Sequence, residues 1–292
     1  PRGVLFVCHN SASALQSLAQ RGVAYRANWL PVELPCLGMV SPLWLLGCLT
    51  LGAAAVGVLP CADGCRSGRR EEIEGSVAYC QELLRLSGEG DERIRLFPTT
   101  EQDLIEALDS LPENARLPQI SELPDPFAYR SRARVLLQLT QGYTAEAVSL
   151  GHPHSPFGVI EVSAGCTTCG GCATACPAGA LALEQGKQDV ALPFDAALCT
   201  ACGQCLPACP EAGVLRLQRV TDLQQLSRGR FERFQDRYRG CEACGRPIAP
   251  EGMLRRIAAL LPSQPAAVSV ISRYCADCRN SAPLHDQPRY AD

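Results

Sequence analysis

Two stretches of the chain repeat one arrangement of sulfur ligands. "CTTCGGCATACP" begins at Cys166 and "CTACGQCLPACP" at Cys199, so the pattern C-x2-C-x2-C-x3-C-P occurs twice, 33 residues apart. Two complete runs leave little room for accident. Closely spaced thiolates suit iron–sulfur clusters: three cysteines at short intervals wrap three corners of one 4Fe-4S cubane, and the fourth, past the longer gap, serves the neighbouring cluster. The expected sets are Cys166, Cys169, Cys172 and Cys209 for cluster one, and Cys199, Cys202, Cys205 and Cys176 for cluster two. Pro177 and Pro210 turn the chain away from each site, while Gly170, Gly171 and Gly203 let backbone N–H groups approach the sulfurs. Such hydrogen bonds and the surrounding apolar shell set reduction potentials.

A second constellation lies near the C-terminus. "CEACGRP" (Cys241, Cys244) and "CADC" (Cys275, Cys278) are two C-x2-C knuckles separated by residues that read as a helix, "EGMLRRIAALL", and then a strand, "AAVSVISRY". Four thiolates make a closed tetrahedral site suited to structural zinc. A rubredoxin-like iron is the alternative that four sulfurs also accept; the second knuckle lacks the Gly and Pro of rubredoxin-type loops. The Arg-rich stretch beside it, "LSRGRFERFQDRYRG", reads as a helix. It is either a solvated face or a docking patch for an acidic partner.

The N-terminal stretch "GVLFVCHNSASA" reads as a buried strand delivering Cys8 to a small polar loop. This is also how low-molecular-weight tyrosine phosphatases begin, but the arginine that would hold phosphate is missing: Ala14 stands six after Cys8, and the next arginine is Arg21. Cys36 and Cys61 close the next two apolar runs, and Cys65 follows on the same loop as Cys61. Strand C-termini of a parallel sheet share one edge, where open α/β sheets place ligands, so these four thiols are expected to converge there. Cys48 and Cys80 fall on apolar helix faces and read as core.

"VELPCLGMVSPLWLLGCLTLGAAAVGVLPCADGC", with the basic-acidic helix and "ERIRLFP" that follow, resembles the delta subunit of methyl-viologen-reducing hydrogenase over residues 3 to about 110. The resemblance implies a 2Fe-2S cluster on Cys36, Cys61 and Cys65 with Cys8, and electron passage to heterodisulfide reductase. That family often has a second cysteine soon after its first, where this chain has Ser11; His9 is the substitute ligand to Cys8. Around residues 157 to 220 the chain is similar to bacterial two-cluster ferredoxins, with "GVIEVS" and "GVLRLQ" as the strands closing that fold.

The rest of the chain bounds what these sites can do. Its 292 residues carry 18 cysteines, most in tight groups that favour ligation over cross-linking, which implies a reducing compartment, the cytoplasm. A net charge of -3 and a pI near 5.9 argue against nucleic-acid binding. Lys187 is the only lysine, as an Arg-favouring genome would produce. The chain begins at Pro1, in a strand and with no signal-peptide pattern, as the later part of a longer polypeptide would. Residues 43 to 59 are uncharged, but Gly47, Gly52 and Gly57, with Pro42 and Pro60 as brackets, suit a helix, a turn and a buried strand better than a membrane span.

Alternating strand and helix signals predict a small α/β parallel-sheet domain over 1-112. A linker with a helix follows over 113-156, where His152 and His154 in "GHPHSPFG" read as part of an exposed loop. An α+β two-cluster ferredoxin domain is expected over 157-220 and a four-Cys zinc-ribbon-like module over 221-292. No nucleotide-binding glycine motif and no catalytic acid-base pair is recognisable. The function implied is relay of single electrons within a larger oxidoreductase complex, of the hydrogenase, formate dehydrogenase or heterodisulfide reductase type. The partners implied are other oxidoreductase subunits or a soluble acidic electron carrier. The rivals are a non-redox scaffold whose first domain carries zinc, and an enzyme whose active site lies in the first domain or in a missing N-terminal region.

Overall fold

A computed structural model describes residues 2–61, 68–88, 90–111, 132–133, 136–137 and 149–280. They form two compact units, one made of the chain up to Gly158 with Arg219–Ser227, the other of Val159–Gln218 with the chain from Arg228 onward.

The first unit is built on a four-stranded sheet in the order β2-β1-β3-β4, comprising β1 (Gly3–Cys8), β2 (Trp29–Leu34), β3 (Ala55–Val58) and β4 (Ile94–Leu96). All pairings are parallel, with Gly3 opposite Trp29 on one side and Ala55 on the other. Parallel strands covered on both faces read as continuous apolar runs, which is why "AVGV" is buried throughout. The connecting helices are α1 (His9–Gln20), α2 (Pro42–Thr50), α3 (Arg70–Leu86) and α4 (Glu101–Asp109). The uncharged stretch thus resolves into a nine-residue helix, a turn and β3. Among the described residues no helix is long and apolar enough to cross a membrane.

Two features lock this sheet. Arg93 is almost fully buried and donates from Nε to the Ala54 carbonyl at 2.9 Å and from Nη2 to Ala53 at 3.2 Å, satisfying the turn between α2 and β3. Trp29 and Phe97 meet edge to face with ring centroids 4.9 Å apart, beside Gly57 of β3. The loop expected to be an exposed linker is packed instead. His152 lies against Tyr79 of α3 at 5.5 Å, and the imidazole of His154 occupies the space over Gly75. Tyr79 Oη, Thr221 Oγ1 and Ser155 Oγ form a buried chain of hydrogen bonds at 2.6 and 2.9 Å. Here β5 (Ser149–Gly151) pairs antiparallel with residues 220–222 at the end of β9 (Leu215–Asp222). A loop of prolines and histidines is polar in sequence, yet Phe157 and Ser155 supply the buried anchors that hold it down.

The second unit contains an antiparallel sheet in the order β11-β10-β8-β7, from β7 (Glu184–Gln185), β8 (Asp189–Asp195), β10 (Arg230–Gly240) and β11 (Pro247–Pro250). Beside it, β6 (Gly158–Val162) neighbours β9, as the two apolar runs flanking the cysteine repeats suggest. The Arg-rich stretch is therefore a strand, not a helix. A register shift between Glu232 and Phe234 inserts one residue, so the half-buried aromatic residues Phe231, Phe234 and Tyr238 fall at i, i+3 and i+7. One bulge has given a strand the spacing of a helix. Short helices α5 (Gly171–Thr174) and α6 (Leu223–Arg228) precede α7 (Glu251–Leu260), α8 (Pro265–Arg273) and α9 (Ala276–Arg279). "AAVSVISRY" is thus helix α8 rather than a strand. Pro265 sets its first turn, and its β-branched residues cost little in a helix that has no strand to pair with.

A methyl group at Gly57 would drive into the Phe97 ring and Leu5. Gly57→Ala should lower stability by roughly 1–3 kcal/mol, the usual cost of overpacking a filled core. Urea unfolding followed by tryptophan fluorescence checks this; an unchanged midpoint would show that the ring moves freely.

Candidate metal centres

The two cysteine runs fold into matching loops. Thr168 and Ala201, equivalent across the repeat, both hold the left-handed conformation at φ 51° and 53°. Gly170 and Gly203, also equivalent, sit at 79° and 78°. Non-glycine residues adopt this region rarely, so its recurrence marks a backbone shaped around its contents.

Each loop walls a cavity. One is lined by Cys166, Cys169, Cys172 and Cys209, with Thr167, Thr168, Leu192 and Glu211. The other is lined by Cys176, Cys199, Cys202 and Cys205, with Ile160, Leu181, Phe194 and Leu217. The fourth cysteine of each run thus faces the other run's three. Burial, and then the neighbouring cysteines, push Cys172 and Cys205 up to about 11. Burial also raises Cys166, against the Thr168 N–H that reaches its Sγ at 3.4 Å. Four thiolates so placed repel one another and are stabilised by a cationic iron core, which these donor sets fit.

Close backbone contacts border the first cavity. A Cβ at Gly171 would lie 2.7 Å from the Ala208 carbonyl oxygen, and one at Gly252 2.7 Å from that of Cys166. Gly252 opens α7, and its N–H is accepted by Asp236 Oδ2 of β10 at 2.7 Å. Asp236 caps a helix from a neighbouring strand, so no local sequence signal announces it. Glu211 accepts from Arg256 Nε of α7 at 2.9 Å. Sequence reasoning passed over Glu211, although it follows the second C-P directly.

The C-terminal cysteines form the tightest group, with one sulfur from each of Cys241, Cys244, Cys275 and Cys278 within 4.8 Å of all the others. Cys241 follows β10, Cys244 precedes β11, Cys275 caps α9 and Cys278 lies within it. The Cys244 and Cys275 sulfurs are 3.7 Å apart, close to the roughly 3.8 Å edge of a tetrahedron built from 2.3 Å zinc–sulfur bonds. The Cys275 N–H donates to Cys241 Sγ at 3.3 Å and, first among several such contacts, draws Cys241 down to about 6. Arg246, held by Asp277 at 2.7 Å, donates to Cys244 Sγ at 3.4 Å and lowers it. Cys278 is pushed up to about 12 by the sulfurs of Cys275 and Cys244. Thiolate charge is thus favoured on Cys241 and Cys244 and opposed on Cys278 unless a cation joins them.

In the first unit the Cys8 and Cys61 sulfurs approach to 3.0 Å. Cys8 ends β1, whereas Cys36 and Cys61 stand two and three residues past β2 and β3, so loops rather than strand ends carry them. Cys36 Sγ accepts the Gly38 N–H at 3.4 Å, and Cys65 lies outside the described residues. Burial opposes ionisation of Cys8, but contacts with Cys61 and Ser11 outweigh it and its pKa falls below the usual thiol value. Ser11 contributes its N–H to Cys8 Sγ at 3.5 Å, while its Oγ accepts from the Cys8 N–H at 2.9 Å. His9 bonds Glu33 at 3.2 Å. Cys80 is fully buried with its thiol pointing at the Pro42 carbonyl and belongs to the core, while Cys48 is half-buried and burial raises it to about 11.

Gly252→Ala should push α7 off the Cys166 loop and disturb the first cavity while leaving the Cys199 cavity intact. Iron counting with EPR of anaerobically reconstituted protein reads this as loss or broadening of one cluster signal; two unaltered signals would show that α7 does not brace the loop.

Residues 4–114 match the family described as FlpD, methyl-viologen-reducing hydrogenase, delta subunit, a span that covers the parallel sheet and its four helices. Residues 165–215 match the family Fer4_9, 4Fe-4S dicluster domain, and contain both cysteine runs. No curated protein matches the chain. The chain therefore joins a region similar to a hydrogenase delta subunit, a 4Fe-4S dicluster region and a four-cysteine group able to hold a metal, which together support an iron–sulfur electron-transfer role in an oxidoreductase complex.

Proposed function

We propose that this protein relays single electrons between other subunits of a hydrogenase-type complex, through one 2Fe-2S and two 4Fe-4S clusters, with a zinc ion holding its C-terminal module together. The observation that carries the reading is the pair of four-cysteine cavities, each completed by a cysteine from the opposite run. On this reading Cys166, Cys169, Cys172 and Cys209 hold cluster one, and Cys199, Cys202, Cys205 and Cys176 hold cluster two. Cys8, Cys36, Cys61 and Cys65 hold the 2Fe-2S cluster; the 3.0 Å approach of Cys8 to Cys61 supports two of the four.

When bound, such a cluster supplies a one-electron couple whose potential the protein sets through hydrogen bonds, charge and exposure. The residues of this chain fix position. Thr168 offers its N–H to Cys166, and the exposed Cys169 and Cys202 bring each site toward solvent, where electrons can be exchanged. The described residues need no proton relay for this role. The domain limits that fit it are 1-112, 113-156, 157-220 and 221-292. A cytoplasmic location fits 18 cysteines set mostly in tight groups suited to ligation.

Anaerobically purified protein should contain about ten iron atoms and matching acid-labile sulfide, as one 2Fe-2S and two 4Fe-4S clusters require. Iron near eight with no 2Fe-2S signal would remove the first domain from the relay. Cys176→Ala should damage the cluster at Cys199, Cys202 and Cys205; damage confined to Cys166, Cys169 and Cys172 would refute the exchanged pairing.

Zinc at Cys241, Cys244, Cys275 and Cys278 acts on folding alone, because it has no accessible redox state and the site leaves no open position. Cys244→Ser should abolish a content of about one zinc per chain and raise hydrogen exchange over residues 241 to 279, with the cluster spectra unchanged. Iron at this site with a reversible rubredoxin-like signal would make it a further redox station instead.

A further inference from the structure

A third cavity in the second unit, of about 300 Å³, opens beside the Cys166 site and shares Thr167 and Glu211 with it. Its walls are mostly small, with Ala164, Gly165, Ala212 and Gly252 leaving the space unfilled, and α7 contributes Arg255 and Arg256. The charges around it are unevenly committed. Glu211, with only 17% of its side chain exposed, is engaged by Arg256, and Asp236 accepts the N–H groups of Gly252 and Arg237. Exposed Arg255 has no carboxylate or hydrogen-bond partner among the described residues. The Cys199 cavity offers a contrast, being walled by Ile160, Leu181, Phe194 and Leu217 with no charged side chain.

We propose that this cavity is the docking point through which an acidic protein electron carrier reaches the Cys166 site, its carboxylates drawn in by Arg255 and by the outer face of Arg256. The inference rests on the electron-relay reading above and adds the place and chemistry of entry. Charge complementarity selects the occupant: a cavity with one uncommitted cation and one cation oriented by a nearly buried carboxylate attracts an anion and repels a cation. Small walls allow a side chain to approach within one residue's thickness of the cysteines. One electron would pass from the carrier to the cluster that Cys166, Cys169, Cys172 and Cys209 would hold, with no bond formed or broken.

The test uses the full chain, loaded anaerobically, and two one-electron reductants of opposite charge: the sulfur dioxide radical anion released by dithionite, and reduced methyl viologen, a radical cation. Stopped-flow bleaching follows each. Arg255→Glu should slow reduction by the anion roughly tenfold, within the range of electrostatic steering, and should not slow the cation. Arg255→Lys should keep the wild-type rate, and Arg237→Glu, an equal change of charge on β10, should alter it far less. N-acetylated hexaglutamate should inhibit reduction of the wild type and not of Arg255→Glu. Equal anion rates for wild type and Arg255→Glu, or hexaglutamate without effect, would overturn the docking role while two normal 4Fe-4S signals left the relay intact. Absence of a cluster at the Cys166 site, seen by EPR before any kinetics, would overturn the relay reading and this one with it.

Discussion

Thiolates cannot be gathered without a cation among them, and much of this structure follows from that constraint. Burial and then mutual repulsion push Cys172 and Cys205 up to about 11, and the Cys275 and Cys244 sulfurs push Cys278 up to about 12, far above the range where they would ionise in neutral solution. A metal or cluster reverses the balance by binding the deprotonated form, so part of the binding free energy appears as folding free energy. Backbone that would be poor in an ordinary domain becomes sensible around such sites. Left-handed Thr168 and Ala201 and the close approach of Gly171 to Ala208 are held because the surroundings over-determine them.

The same constraint is met differently at each group of cysteines. In the C-terminal knuckles an Arg246–Asp277 pair and the Cys275 N–H prepare two thiolates in advance. At the first sheet's edge Ser11 turns its hydrogen-bonding groups toward Cys8. The dicluster loops divide sharply in their surroundings, one facing Glu211, Thr167 and Thr168, the other Phe194, Ile160 and Leu217. Exposure, charge and hydrogen bonding set cluster potentials, so two halves of one sequence repeat are not equivalent stations.

Long-range contacts decide how firmly these centres are held. Arg93 ties the α2–β3 turn by carbonyls 39 and 40 residues away in sequence. Asp236 caps α7 from β10, and Gly252 then lets that helix touch the Cys166 loop. Each uses a residue ordinary in its own neighbourhood, whose importance exists only once the chain has folded.

Sequence alone determined the cysteine repeats, their spacing and the parallel sheet of the first unit, because ligand intervals and buried apolar runs are local properties. It also separated the uncharged stretch into helix, turn and strand through its glycines and prolines. It misread β10, where a bulge placed Phe231, Phe234 and Tyr238 at helical intervals, and α8, whose β-branched residues look like a strand until no partner strand is found. It took the His152–His154 loop as exposed, although packing on Tyr79 and burial of Phe157 decide otherwise. Which surfaces surround each cavity, and where Arg255 stands without an opposite charge among the described residues, depended on elements far apart in sequence meeting at one place. Pairing and packing are settled by what lies across the fold, and tertiary structure alone supplies that.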